Sequence, residues 1–313
     1  MINRDLIRTK IVQLTYANSL NGNDDKTNAE KELLFSLSKA YDLYLFLLNF
    51  IVTVRDEAEN LWNVNNIRVQ REGIRPISRN FIDNKFALQL KSNEQLNSLI
   101  GSKKSNWNEY VEVARKVFGL IEQTEKYADY MALEAPSYDE DREFWRFVYK
   151  TIISTNDDID VVLEEQSLYW NDDKYVVDTF VMKTIRRFEE QNGTKQSLLD
   201  KYRSADDEKF ALNLFRDSIE NSEKYRQYMA ELSMNWDISR LSTMDVVLLQ
   251  VAIAEMMTFP EIAVHVTINE YIELAKMYST PKSAGYINGM LDAIARMLYN
   301  RGLMLKPVGE KKE

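Results

Sequence analysis

The chain carries one histidine, His265, and no cysteine. Thiolate metal sites, Fe–S clusters, cysteine nucleophiles and disulfide scaffolds are therefore excluded, and so is any zinc or di-iron motif that needs two histidines. The acidic runs Asp157-Asp158-Ile159-Asp160 and Asn171-Asp172-Asp173 lack the glycine and closing glutamate of a calcium loop, and read as solvated loop acids. Glu270 and Glu273 share a helix face, but Glu270 stands three residues after Thr267 and reads as its capping-box partner. His265 sits in the short apolar stretch Ala263-Val264-His265-Val266 and reads as a partly buried histidine with its hydrogen bonds met. No G-x-x-x-x-G-K-[ST], G-x-G-x-x-G or G-x-S-x-G occurs. Neither a catalytic constellation nor a metal or cofactor site is expected, which points to a binding protein rather than an enzyme.

The chemistry that remains is charge. The net charge is −9, unevenly spread. Between Asp139 and Asp178 twelve acids face four bases, a local −8. Between Arg68 and Lys104 eight bases face three acids, a local +5. The first helical segment carries Arg4, Arg8 and Lys10 against Asp5, and the C-terminal end is also basic. Local basic patches bind phosphate even on an acidic protein, because screening at physiological salt acts over about 8 Å.

The elements that must position these residues are helical. Nine glycines and five prolines in 313 residues suit long helices better than turn-rich sheets. An apolar stripe (Ile7, Ile11, Val12, Leu14) predicts a helix over 3–18, with Arg4, Arg8 and Lys10 off the stripe. Thr27 is placed to cap a long helix from Ala29 through Val54 and on towards Trp62. Its apolar run Leu43 to Val54 is twelve residues interrupted by Asn49, short of the roughly 20 a membrane span needs, and reads as a buried core helix. Residues 106–131 read as one helix. Phe144 to Met182 echoes Phe210 to Leu248 at an offset of 66, with Trp170 matching Trp236. Ser242-Thr243-Met244-Asp245 and Thr267-Ile268-Asn269-Glu270 read as capping boxes, the first opening a helix that ends at Thr258 before Pro260. Thr280-Pro281 reads as a cap and first-turn proline for a last helix running to about Arg301. The fold class is all-α, a helical bundle. Three regions are expected: an N-terminal helical region over 1–205, a C-terminal helical domain over 206–305, and a flexible tail over 306–313. With no signal-peptide core at Met1–Asp5, the protein is expected in the cytoplasm.

The C-terminal motifs are more specific. Met244-Asp245, Ala252-Ile253-Ala254-Glu255, Pro260, Val266-Thr267-Ile268-Asn269-Glu270, Glu273-Leu274-Ala275-Lys276 and Tyr286-Ile287-Asn288-Gly289-Met290-Leu291-Asp292 follow in order. Together they make Leu241 to Ala295 resemble the NusB family of transcription antitermination factors. Phe210 to Trp236 is similar to the family's preceding helix, and Arg4 to Asn18 to its arginine-rich first helix. Residues 20–205 then read as a large insertion or an elaborated subdomain.

The resemblance implies an all-α protein that binds the boxA element of rRNA leader transcripts. It would do so with the small-subunit ribosomal protein NusE, joining RNA polymerase without catalysis. It implies Arg4, Arg8 and Lys10 as cations and Tyr16 as an aromatic face for RNA, with Tyr286 in the RNA surface and Lys282 beside it favouring phosphate. Asp245, with Phe215 on the preceding helix, is expected at the partner-protein surface. Asn288 and Gly289 are expected to serve helix packing. Asp5 and the thin arginine content depart from the family's first helix, and Arg68–Lys104 could compensate. The alternative is a helical protein–protein adaptor of the same fold without specific RNA binding, its acidic block suited to a basic partner.

Overall fold

The computed structural model describes residues 1–21, 26–72, 78–101, 106–232 and 241–304. Among these the chain is helical, and the only β feature is the isolated bridge between Ile2 and Tyr202. In chain order the helices are α1 Arg4–Asn21, α2 Lys26–Glu72, α3 Lys85–Lys91, α4 Glu94–Gly101, α5 Val111–Glu122, α6 Glu125–Met131, α7 Tyr138–Val148, α8 Asp157–Gln166, α9 Lys174–Arg187, α10 Ala205–Glu220, α11 Ser222–Leu232, α12 Thr243–Thr258, α13 Val264–Tyr278 and α14 Pro281–Asn300.

By contact the chain parts into two compact units. One holds Met1 and Ser38–Lys201; the other holds Ile2–Leu37 and the chain from Tyr202 onward. The sequence reading divides the chain at 205/206, with a tail after 305. Contact instead assigns α1 and the opening of α2 to the C-terminal unit.

The Ser38–Lys201 unit has an aromatic core. The Trp107 indole stacks on Phe46 at 4.3 Å and donates to the Phe46 carbonyl; the Trp170 indole donates to the Lys39 carbonyl. Asn28–Asn66 of α2 is long and apolar enough to cross a membrane, yet 67% of its apolar window is buried within the protein, which fits a core helix. Residues 106–131 are not one helix. A 3₁₀ turn over Asn108–Tyr110 precedes α5, and Thr124 restarts the chain as α6 by accepting the Tyr127 amide at 3.1 Å. The acidic block is largely helix-terminal. Asp139, Glu140 and Asp141 lie in the first turn of α7, and Asp157, Asp158 and Asp160 in that of α8, where the helix dipole favours negative charge. Asp157–Asp160 are thus helical rather than loop acids. Asp141 is buried, accepting from the Lys85 amide and the Tyr130 hydroxyl. In the 144/210 echo, Phe144 lies in α7 and Phe210 in α10, while Trp236 falls outside the described residues.

The C-terminal unit is built round α12. From Val247 to Met256 every residue of that helix is buried, so it is a central helix without a polar face. Helices α1, α10, α11, α13 and α14 pack on it. Ser242 caps α12 by accepting the Asp245 amide at 3.1 Å, but the Asp245 carboxylate turns elsewhere and the box is not closed. Thr280 caps α14 with Pro281 in its first turn, as the sequence signals. Helix α13 begins four residues earlier than expected, after Ala263. Thr267 is therefore not a cap but a buried helical residue, and Glu270 is not a capping partner. His265 is exposed on the first turn of α13 rather than partly buried.

Candidate nucleic-acid interface

Helix α1 was expected to present cations to solvent. Its middle is instead enclosed: Leu6, Ile7, Arg8, Thr9, Lys10, Ile11 and Val12 are all buried. Arg8, 4% exposed, reaches Glu255 of α12, which is fully buried. The guanidinium grips both carboxylate oxygens, Nε to Oε2 at 2.8 Å and the second terminal nitrogen to Oε1 at 3.0 Å. Thr267 donates to Oε1 at 2.9 Å and the Tyr271 hydroxyl to Oε2 at 3.2 Å, so four donors converge on one carboxylate. Glu270 and Asp5 each lie 3.4 Å from Arg8 on the outer side. Burial opposes the charge of Arg8, but the bonds and charge of Glu255 outweigh it and hold the guanidinium above its ordinary value. Burial, with the charge of Glu255 adding, pushes Tyr271 well up and keeps its hydroxyl a donor.

Arg8 and Lys10 are thus interior residues, and the RNA role read for them is withdrawn. A bidentate arginine fixing three helices about a desolvated carboxylate is architecture. Arg4 is different. It is partly exposed, lies 3.7 Å from Asp207, and stacks 4.7 Å from the Phe210 ring centroid. With Asn3, Asp5, Arg203, Ser204 and Glu270 it borders an open recess of about 490 Å³. The lead-in to α1 is tied there, the Arg203 amide donating to the Ile2 carbonyl at 3.0 Å. Tyr16 is half-buried further along α1.

The second cluster is the α13–α14 joint. Asp245 is buried; it accepts from Ser279 at 2.6 Å and from Ser283 at 3.1 Å, while Gln13 of α1 donates to the Tyr278 hydroxyl at 3.1 Å. Asp245 therefore locks the joint from inside and is not a partner-facing side chain. Lys282 is exposed in the first turn of α14, and Tyr286, half-buried, stands four residues on and so on the same face. Asn288 is exposed rather than engaged in packing. Phe215 is buried and forms part of the wall of a groove with Leu14, Ala17 and Phe35.

Of the stretch Arg68–Lys104, three described cations are engaged. Arg79 pairs with Asp83, Lys91 with Asp56, and Lys85 donates to the Pro136 carbonyl. The side chains of Arg68 and Arg71, and Arg75, Lys103 and Lys104, lie outside the described residues.

Comparison with known proteins bears on the sequence of α9–α14. The model of the NusB family matches residues 174–296, from the first residue of α9 into α14. A transcription antitermination protein NusB of Salinibacter ruber is 36% identical over 134 residues, 40% of this chain and 82% of the relative. The chain belongs to the NusB family. The NusB of Geotalea daltonii is 37% identical over 134 residues, covering 42% of this chain and 89% of the relative. That of Natranaerobius thermophilus is 47% identical over 78 residues, which span 25% of this chain and 56% of the relative's length. No solved structure matches the chain. The region before α9 is a large helical extension outside the NusB match. The match also starts upstream of the 206 boundary read from sequence. What sequence reasoning missed is the Arg8–Glu255–Thr267–Tyr271 network. Its signal was present in Glu255, a carboxylate set in the apolar run 251–256 of α12, which is a charge in need of a buried partner.

Proposed function

We propose that this NusB-family chain is a cytoplasmic transcription antitermination factor. It binds boxA-type leader RNA of rRNA operons together with NusE and takes that complex to RNA polymerase. The observation carrying this reading is the family match across α9–α14, with relatives that are transcription antitermination proteins. The exposed residues support it. Lys282 stands at the open end of α14 with Tyr286 on the same face, a cation and a ring of the kind that grip phosphate and stack bases. Arg4 and Tyr16 on α1 supply a second pair. NusE would meet the groove of Leu14, Phe35 and Phe215 rather than Asp245, which is buried. The interior placement of Arg8 and Lys10 favours a second reading, the adaptor without specific RNA binding.

Titration of the protein onto boxA leader RNA and a scrambled control, with and without its NusE homologue, tests both. Preference for boxA, strengthened by NusE, is expected. Binding to NusE with no preference between the RNAs overturns the first reading and establishes the second.

A further inference from the structure

The Ser38–Lys201 unit holds a cavity of about 270 Å³ that the reading above does not use. It is walled by Trp62, Phe81, Phe118 and Tyr127, with Met131 at its edge and Glu122 among its lining residues. Phe81 lies at the hub: its ring centroid is 5.1 Å from Phe118 and 5.9 Å from Tyr127, while Phe118 and Tyr127 meet edge-on at 6.2 Å. Phe81 and Phe118 are buried, and Trp62 and Tyr127 half-buried, so these rings form a fixed wall. Aromatic faces carry negative potential and hold cations within about 6 Å of the centroid. The Trp62 ring already does so: the Arg79 guanidinium lies 4.5 Å from its centroid.

The neighbouring charges are matched. Arg79 is held by Asp83 and Glu59, Arg55 by Glu59 and Asp56, and Lys91 by Asp56. Glu122 is different, with no hydrogen bond or ion pair among the described residues. Burial pushes its carboxyl above the ordinary carboxylate value. Burial, with the charge of Glu122 adding, pushes Tyr127 up to about 12, so that its ring stays neutral. A carboxylate without a counter-ion among the described residues, in the lining of a cavity with four aromatic rings, is complementary to a charge that is positive, bulky and weakly hydrated.

We propose that this cavity binds a small organic cation of the alkylammonium or quaternary ammonium class, its methyl groups against Trp62, Phe81, Phe118 and Tyr127 and its charge balanced by Glu122. A primary amine carries a tighter hydration shell and loses more on entry, so methylated ammonium is preferred over ammonium itself.

The test titrates the full chain at constant ionic strength with tetramethylammonium, choline and benzyltrimethylammonium. It follows the Trp62 indole resonance, assigned with Trp62→Phe, and the heat of binding. The neutral isostere of choline, 3,3-dimethyl-1-butanol, is the control. Saturable binding of at least one ammonium ion is expected, tenfold or more tighter than the alcohol. Glu122→Gln, a change at an exposed carboxylate, should weaken it at least tenfold with the melting curve unchanged. Equal binding of the alcohol, unaltered affinity in Glu122→Gln, or saturation by none of the three ions overturns the proposal.

Discussion

Replacing Arg8 separates an architectural arginine from an RNA-binding one. In Arg8→Met the Glu255 carboxylate, fully buried, loses its bidentate partner and keeps only the hydroxyls of Thr267 and Tyr271. Removing one member of a buried ion pair costs about 3–5 kcal/mol, because the remaining charge stays desolvated without compensation. For a unit of this size that is a fall in Tm of roughly 6–20 °C, taking about 2–4 °C per kcal/mol. Urea unfolding followed by circular dichroism, with hydrogen exchange at the α12 amides as the local probe, reads the loss. The double variant Arg8→Met/Glu255→Gln should recover a large part of it, since the glutamine carries no charge, its carboxamide oxygen accepts from one of the two hydroxyls and its NH2 donates to the other. Were Arg8 an RNA contact, the single variant would keep its stability and lose only phosphate affinity. A cost below about 1 kcal/mol, or a double variant no more stable than the single, refutes the reasoning.

Other substitutions probe the remaining assignments. Asp245→Ala strips the acceptor from Ser279 and Ser283 and should destabilise by about 1–3 kcal/mol in thermal melts, with NusE affinity of the folded protein unchanged. Lys282→Glu, at an exposed position, should leave the melt within about 0.5 kcal/mol while weakening RNA binding in a filter or fluorescence titration. Burial raises the Asp141 carboxyl above its ordinary 3.8, so the folded state binds this proton more tightly than the unfolded chain. The stability this contributes is present below about pH 4 and is lost as pH rises through the folded value. Urea midpoints of wild type relative to Asp141→Asn should therefore fall from pH 4 upward; a flat difference would contradict the burial argument.

The helical class and the last three helices were legible in the sequence because their signals are local. Thr280-Pro281, Ser242 and Pro260 act within one turn and need no distant partner. The roles of the charged residues were not legible, for the opposite reason. Arg8 and Glu255 are separated by 247 residues, and each alone follows the pattern of a solvated charge or an isolated anomaly. On α1 the apolar stripe leaves Arg8 and Lys10 off the core face, yet α10 and α12 both pack on the helix and Gln13 reaches Tyr278 of α13, so its middle has no open face. Thr267 misled through proximity. T-x-x-E resembles a helix start, but four residues earlier Ala263 already turns the chain into α13, and the threonine hydroxyl serves Glu255 instead.

The enclosure of α1 changes what RNA binding can look like. With Arg4, Arg8, Lys10 and Lys282 all on phosphate, single-stranded RNA would show a slope of log affinity against log salt near −2.8, at about −0.7 per neutralised phosphate. Only Arg4 and Lys282 of that set are exposed or partly exposed, and they predict about −1.4. Arg4 also shares its charge with Asp207, which makes the slope shallower still. Measuring boxA affinity across a salt series therefore locates the interface. A slope near −1.4 that drops by about 0.7 in Lys282→Glu assigns the phosphate contacts to α1 and α14. A slope of −3 or steeper requires cations elsewhere on the chain, and the variants Arg71→Glu, Arg75→Glu and Arg79→Glu are then the ones that should flatten it.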